Sequence, residues 1–272
     1  MKNFNQNIQF DFQVIYPVVA QVLLCLAVQA VYSYFYQLYV VSTNDFSKYI
    51  VIYLLSLIPV VAGELAGHVT FYKTLKETGW LILYLTEVIY TWLIATLIWS
   101  IAVYIFMKTN VFEYNFTSQC DLRFISEFTY YYFAESLLFY ALHRTLHLPY
   151  VYKKIHCIHH QPKNLKYIDG DRLHPGETFM NALAMILPVF LPPIFLGHTT
   201  LYQSWLFFLF FRQFITTECH SEPSDKHTLL SLLPFYMKCE FHRFHHLSNM
   251  SKNFGYISIW DKLFKTFHIP KM

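Results

Sequence analysis

Glycine is scarce in this chain, at 7 of 272 residues. No Gly-rich dinucleotide fingerprint, P-loop or nucleophile elbow occurs, so chemistries that need those tight backbone approaches are not indicated. Charge is scarce too: 14% of residues are charged, against roughly 25% in soluble domains. Cys25, Cys120, Cys157, Cys219 and Cys239 are odd in number and form no CxxC, which argues against a disulfide framework. They read as small reduced side chains. No internal repeat and no low-complexity linker is apparent. The basic residues are scattered and the formal charge is only +3, so nothing marks a nucleic-acid partner.

What fills the chain instead is apolar: 55% of residues are hydrophobic and the mean hydropathy is +0.32. A membrane-crossing helix needs about 20 such residues. Candidate runs lie at Val14–Val41, Tyr49–Tyr72, Trp80–Met107 and Phe124–Leu142. Thr178–Phe214 is long enough for two passes, and Pro188, Pro192, Pro193 and Gly197 are expected to break it into a hairpin. The first run follows few positive charges and lacks a small-residue cleavage site, so it reads as a retained span. The expected fold is all-α: a polytopic membrane bundle of about six passes or hairpin equivalents.

The third feature is histidine. Eight stand in three clusters: His143 and His147, then His156, His159 and His160, then His242, His245 and His246. The spacings are HxxxH, HxxHH and HxxHH. Helical offsets of three and four share a face, so each cluster is expected to aim its imidazoles one way. Imidazole is the commonest protein metal ligand. One metal rarely needs more than a few, so the number implies two metals held close together.

Span parity brings the clusters to one place. Four passes precede the first cluster and two separate the second from the third. All three therefore face one aqueous compartment. Arg144, Lys153, Lys154, Lys163, Lys166 and Arg172 crowd the first of these segments, and Lys73 and Lys76 fall in a loop on the same side. Positive loops stay cytoplasmic, which predicts a cytosol-facing metal cap, or a matrix-facing one in an organelle. Asn115-Phe116-Thr117, an N-glycosylation acceptor pattern, then falls on the opposite side. Asn249-Met250-Ser251 falls on the cytosolic side and stays unmodified. Glu64 with His68, and Glu87, are ionisable groups inside spans and read as hydrogen-bonded packing groups.

Taken together, these pieces resemble the fatty acid hydroxylase superfamily. Its members are integral-membrane di-iron proteins and include sterol desaturases, methylsterol oxidases and cholesterol 25-hydroxylase. The run HRTLHLPYVYKKIHCIHH is similar to the family's first two boxes. LHPGE at Leu173–Glu177 resembles an HPxE element and adds His174. ECHSE places His220 where the family has a lone histidine. EFHRFHH followed by NFGYISIWDKLFKTF resembles the terminal box and its aromatic-Asp tail. The resemblance covers about Phe133–Phe267. It departs where Ser221, Glu222 and Pro223 follow His220 in place of Ser-Gly, and where Lys265 replaces a usual Gly near the end of the tail.

The resemblance implies N-terminal transmembrane helices over 1–123 and a hydroxylase-like domain over 124–272. It implies two iron ions, with zinc as a possible replacement, and dioxygen as co-substrate. The ligand set is His143, His147, His156, His159, His160, His174, His220, His242, His245 and His246. Glu177, Glu240 and Asp261, with Glu218, are candidates to orient imidazole N–H groups from behind. The activity implied is hydroxylation, methyl oxidation or desaturation of a lipid, foremost a sterol. Electrons would come from a separate donor such as cytochrome b5 and its reductase. The endoplasmic reticulum is the expected location, with the mitochondrial inner membrane as the alternative. Two other readings stay open: an accessory subunit of a larger membrane complex that keeps the metals for stability, and, less well supported, a metal transporter, whose ligands belong near the bilayer midplane.

Overall fold

A computed structural model describes residues 34, 37–39, 41, 44–71, 81–114, 121–162, 165, 167–221, 228–248 and 250–270, without the side chains of 60, 63–71 and 81–89. Most of the first expected span lies outside these residues. So do Lys73, Lys76, Asn115, Lys163, Lys166, Asn249 and the side chains of Glu64, His68 and Glu87.

The described chain is helical apart from one pair of two-residue strands. In order it runs α1 (Asp45–Phe71), α2 (Leu81–Thr109), β1 (Phe112–Glu113), α3 (Leu122–Leu146), α4 (Pro149–Lys154), α5 (Pro175–Leu196), β2 (Thr200–Leu201), α6 (Tyr202–Cys219), α7 (Cys239–Leu247) and α8 (Ser258–Leu263). The apolar runs therefore become α1, α2, α3 and the pair α5–α6.

Among the described residues, two helices have the length and apolarity to cross a membrane, Tyr90–Thr109 within α2 and the whole of α5. Their outer faces are bare. Leu93, Leu97 and Ile101 form an exposed stripe on α2, and Leu187, Leu191 and Ile194 form one on α5. Spacings of three and four residues keep each stripe on one face, as a lipid-facing helix requires. Helices α3 and α6 carry buried ionisable residues, Glu127 and Glu135 on one and Arg212 and Glu218 on the other. These lower their apolarity but point inward.

The hairpin between α5 and α6 is broken at Gly197 alone, which caps α5 with φ at 67°, a conformation glycine adopts at no steric cost. Pro188, Pro192 and Pro193 lie inside the helix and do not break it. Pro192 has no N–H for the Pro188 carbonyl one turn earlier. The Tyr130 hydroxyl donates to that carbonyl instead, at 2.8 Å.

Two poles result. At one, β1 pairs parallel with β2, Phe112 opposite Thr200. Arg123 forks onto Glu113 at 2.8 and 2.9 Å and reaches Glu127 at 2.9 Å. Glu127 in turn accepts from the Leu201 N–H and the Ser204 hydroxyl. This ties the end of α2 and the start of α3 to the turn between α5 and α6. Between the poles sits an aromatic core in which Trp205 meets Trp99, Phe106 and Phe112 with centroids 5.3–5.4 Å apart. The other pole gathers the end of α3, the start of α5, the end of α6 and α7, the places where the histidines lie.

The C-terminal tail closes that second pole. Lys265 adopts φ of 60°, the left-handed region that a Cβ disfavours. It is the position where the resembled family carries Gly. Lys265→Gly should raise stability by about 0.5–1 kcal/mol, read as a higher denaturation midpoint.

Candidate metal centre

Local sequence bends the first two boxes onto each other. Helix α3 ends at Leu146 with His147 as its cap. Pro149 opens α4, and the preceding Leu148 is extended, at ψ 135°, as a residue before proline prefers. The chain thus turns sharply after His147. A short 3-10 turn at His156–Ile158 then returns His156, His159 and His160 to the end of α3.

Nine histidines converge in two groups. His143, His147, His156, His160 and His245 form one; His159, His220, His242 and His246 form the other. Within each group one nitrogen per residue lies within 4.8 Å of all the others. The groups adjoin, with the rings of His160 and His246 stacked at 4.1 Å.

The boxes do not each aim one way, contrary to the expectation from spacing. His159 leaves the second box for the other group, and His245 leaves the third. On α7 the reason is geometric. His242 and His246 are one turn apart on one line, whereas His245 is rotated by about 100° from its neighbour. Adjacent histidines therefore serve different groups.

Hydrogen-bond partners show what the groups are fit for. His143 Nδ1 lies 2.6 Å from the Phe254 carbonyl, His245 Nδ1 2.7 Å from that of Lys252, and His220 Nδ1 2.8 Å from that of Thr216. His156 Nδ1 lies 2.8 Å from Glu177 Oε1. Carbonyl and carboxylate oxygens only accept, so each Nδ1 donates and each Nε2 keeps a bare lone pair. Two of those lone pairs meet: His156 Nε2 stands 3.1 Å from that of His143. Two lone pairs cannot hydrogen-bond across such a gap. A cation between them resolves the arrangement.

The electrostatics agree. Burial is the first cause that pushes these imidazoles toward the neutral form. It brings His147 and His220 down to about 4 and His160 to about 3, and holds His159, His242, His245 and His246 well below their usual range. Neutral imidazole is the metal-binding form.

The remaining candidates take other places. His174 belongs to neither group. It caps α5, its Nδ1 accepting from the Gly176 N–H at 3.0 Å. Glu177 backs His156 directly. Among the described residues Glu240 makes no hydrogen bond to a histidine, and Glu218 accepts from the Thr228 hydroxyl. Asp261 acts through the main chain: it accepts from the N–H groups of Phe254 and Gly255, both at 2.9 Å, and from the Thr266 hydroxyl at 2.7 Å. This fixes the tail segment whose Phe254 carbonyl aligns His143. Neither group contains a cysteine. Among the other histidines, His268 stacks on Phe244 at 4.7 Å, and His227 lies outside the described residues.

Two substitutions probe this scaffold. Glu177→Ala removes the acceptor behind His156 and should weaken metal binding about 10–100-fold, measured by competition with a chelator. At Gly170 a Cβ would lie 3.0 Å from His220 Nδ1 and 3.3 Å from the Thr216 carbonyl, the two ends of the bond that orients His220. Gly170→Ala should therefore empty the four-histidine group first, and elemental analysis should show metal content falling toward half.

A cavity opens onto the groups, with His143, His156, His159, His220 and His242 at one end. Its walls are largely apolar and include Leu57, Trp92, Trp99, Met185 and Leu209.

Sequence comparison agrees with this geometry. The family model described as fatty acid hydroxylase matches residues 128–266. The chain belongs to the fatty acid hydroxylase family. Curated relatives include methylsterol monooxygenase 1 of Danio rerio, 30% identical over 55% of this chain and 46% of that protein. The Gallus gallus protein of the same name is 30% identical over 47% of this chain and 41% of its own. Very-long-chain aldehyde decarbonylase GL1-11 of Oryza sativa subsp. indica is 30% identical over 52% of each. This fatty acid hydroxylase family member thus spans about half the length of the curated relatives it matches. No solved structure matches it.

One charged network escaped the sequence reading. Arg212 donates through Nε to Glu135 Oε1 at 2.7 Å, and the Tyr256 hydroxyl bonds the second oxygen of Glu135. All three side chains are buried. Glu135 and Arg212 are ionisable residues inside apolar runs, and that alone marks them as functional candidates.

Proposed function

We propose that this protein is a membrane-embedded di-iron oxidoreductase that uses dioxygen to hydroxylate a lipid, oxidise its methyl group or desaturate it, the lipid being foremost a sterol. The observation that carries the reading is the pairing of two all-histidine groups with an apolar cavity that ends on them. The methylsterol monooxygenase and aldehyde decarbonylase relatives point to lipid substrates. Nine histidines would hold the metals: five in one group and four in the other. When bound, two ferrous ions supply reductive activation of dioxygen and attack on an unactivated C–H bond.

The chain's own residues set the conditions. Carbonyls of Phe254, Lys252 and Thr216, with Glu177, fix four imidazoles in the tautomer that presents Nε2. Cavity walls of Trp, Leu and Met exclude water and admit an apolar body. The bare stripes on α2 and α5 suit lateral entry of that body from the bilayer. We place the histidine pole on the cytosolic side, in the endoplasmic reticulum, with about six crossings in the whole chain. Electrons would then arrive from a separate cytosolic donor of the cytochrome b5 type.

Lipid profiling of a strain lacking the protein tests the reading. An unoxidised sterol or acyl precursor should accumulate and should disappear on re-expression. An unchanged profile, with a defect in assembly of a partner complex instead, would replace the enzyme by the accessory-subunit reading.

A further inference from the structure

Arg212 is an unusual group to find in this cavity wall. It is 5% exposed and lines a cavity whose walls are largely apolar. A guanidinium carries five N–H donors. Nε is taken by Glu135, and Nη1 donates to the Thr216 hydroxyl. The rings of Phe139 and Tyr256 lie against the guanidinium, 4.6 and 5.1 Å from its carbon. Nη2 has no acceptor among the described residues.

The nearby carboxylates are engaged with other donors. Both oxygens of Glu135 are in use, one on Arg212 and one on Tyr256. Elsewhere on the cavity wall, Glu177 is engaged with His156, and Asp171 accepts from the Trp92 indole at 3.4 Å. A charged donor on the wall of a largely apolar cavity favours an acceptor placed there. The cavity itself is the side from which an acceptor can come.

Its position relative to the metals is fixed by the helix. Arg212, Thr216 and His220 follow one another at four-residue spacing on α6. Thr216 links them physically: its hydroxyl meets Arg212 and its carbonyl holds His220. Arg212 thus lies about two helical turns from His220, with the Thr216 hydroxyl that it holds one turn nearer.

We propose that Arg212 is a substrate-anchoring residue: it binds an oxygen acceptor on the lipid, a hydroxyl, carbonyl or carboxylate, at the histidine end of the cavity. The substrate class is then an oxygenated amphiphile that enters polar end first, and a plain hydrocarbon is excluded. The carbon oxidised lies near that polar end. The proposal rests on the assignment of the cavity to a lipid, but it concerns binding and needs no turnover.

Trp92 and Trp99 line the cavity and report on its contents. The purified, metal-loaded protein in detergent is titrated with dibromostearic acid, the matching dibrominated octadecanol and dibrominated octadecane, and tryptophan quenching is followed. The acid or the alcohol should reach half-quenching at a mole fraction about tenfold or more below the alkane, as a hydrogen bond to a charged group predicts. Arg212→Met should abolish that difference and leave the alkane curve in place. Arg212→Lys keeps the charge but loses the fork, so it should fall between. If Arg212→Met does not fold because Glu135 is left unpaired, Arg212→Met with Glu135→Leu removes both charges and takes its place.

No preference in the parent protein would overturn the proposal. So would a preference that survives loss of Arg212, or an alkane curve that shifts by the same factor as the others. Lipid oxidation without any probe preference would sink the anchor and leave the oxidoreductase standing. A preference lost with Arg212 in a protein that oxidises nothing would do the reverse.

Discussion

His159→Ala should reduce lipid oxidation to background while the protein still accumulates in the membrane. His159 is the second box's only contribution to the four-histidine group. That group has one ligand fewer than its neighbour, and His159 and His220 face each other at 3.2 Å. Removing one imidazole leaves three ligands and a buried gap. The bundle should survive, because Trp205, Phe208 and Phe210 of α6 and Tyr131 and Tyr132 of α3 remain fully buried away from the site. The measurement pairs lipid profiling with the protein level in cells that carry only the variant. Accumulation of the same unoxidised lipid as in a full deletion is the expected result. A deletion that changes the profile, beside a His159→Ala strain that restores it, would show that the four-histidine group is dispensable for the chemistry.

Much of this site can be read from the chain because its parts are local. Long apolar runs announce helices α1 to α3, and clustered histidines announce ligands by residue type. What spacing cannot reveal is how the boxes divide. His245 and His246 are neighbours in sequence, yet they point into different groups because a helix rotates about 100° per residue. Nor can it reveal the partners behind the imidazoles. Three of these are main-chain carbonyls, of Thr216, Lys252 and Phe254, and a carbonyl has no side-chain signature. The aromatic-Asp tail gains its meaning only in space, where Asp261 holds the segment that carries two of those carbonyls. Pro188, Pro192 and Pro193 mislead for the opposite reason: they look like breakers, but Tyr130 on another helix compensates one of the lost donors. Glu135 and Arg212 were legible as charges in apolar runs; their pairing, 77 residues apart in sequence, was not.

Removal of metal should cost this protein more stability than any single substitution at the site. Without a cation the five-histidine group is frustrated. His143 and His156 each spend the Nδ1 proton on an oxygen, so their Nε2 lone pairs face each other at 3.1 Å in a water-poor space. Switching either tautomer to supply a proton there would set a bare Nδ1 against an oxygen. Protonation is opposed by burial. A ligand that binds only the folded state stabilises it in proportion to the logarithm of its affinity, and structural zinc sites contribute about 10 kcal/mol or more. Chelation should therefore lower the melting temperature by about 10 °C or more. It should also expose the segments around His156–His160 and Cys239–Leu247 to protease before the helical bundle. Acid should act in the same direction. In the fold His147 and His220 stay neutral down to about 4, whereas in the unfolded chain a histidine takes up its proton near 6.5. Below about 6.5 the unfolded state therefore binds more protons, and stability falls as the pH drops from there toward about 4. Protons compete with metal for the same nitrogens over that window, so metal release and loss of stability should coincide. A melting temperature and a protease pattern that stay unchanged after elemental analysis confirms metal removal would mean that the histidine pole is held by its packing alone.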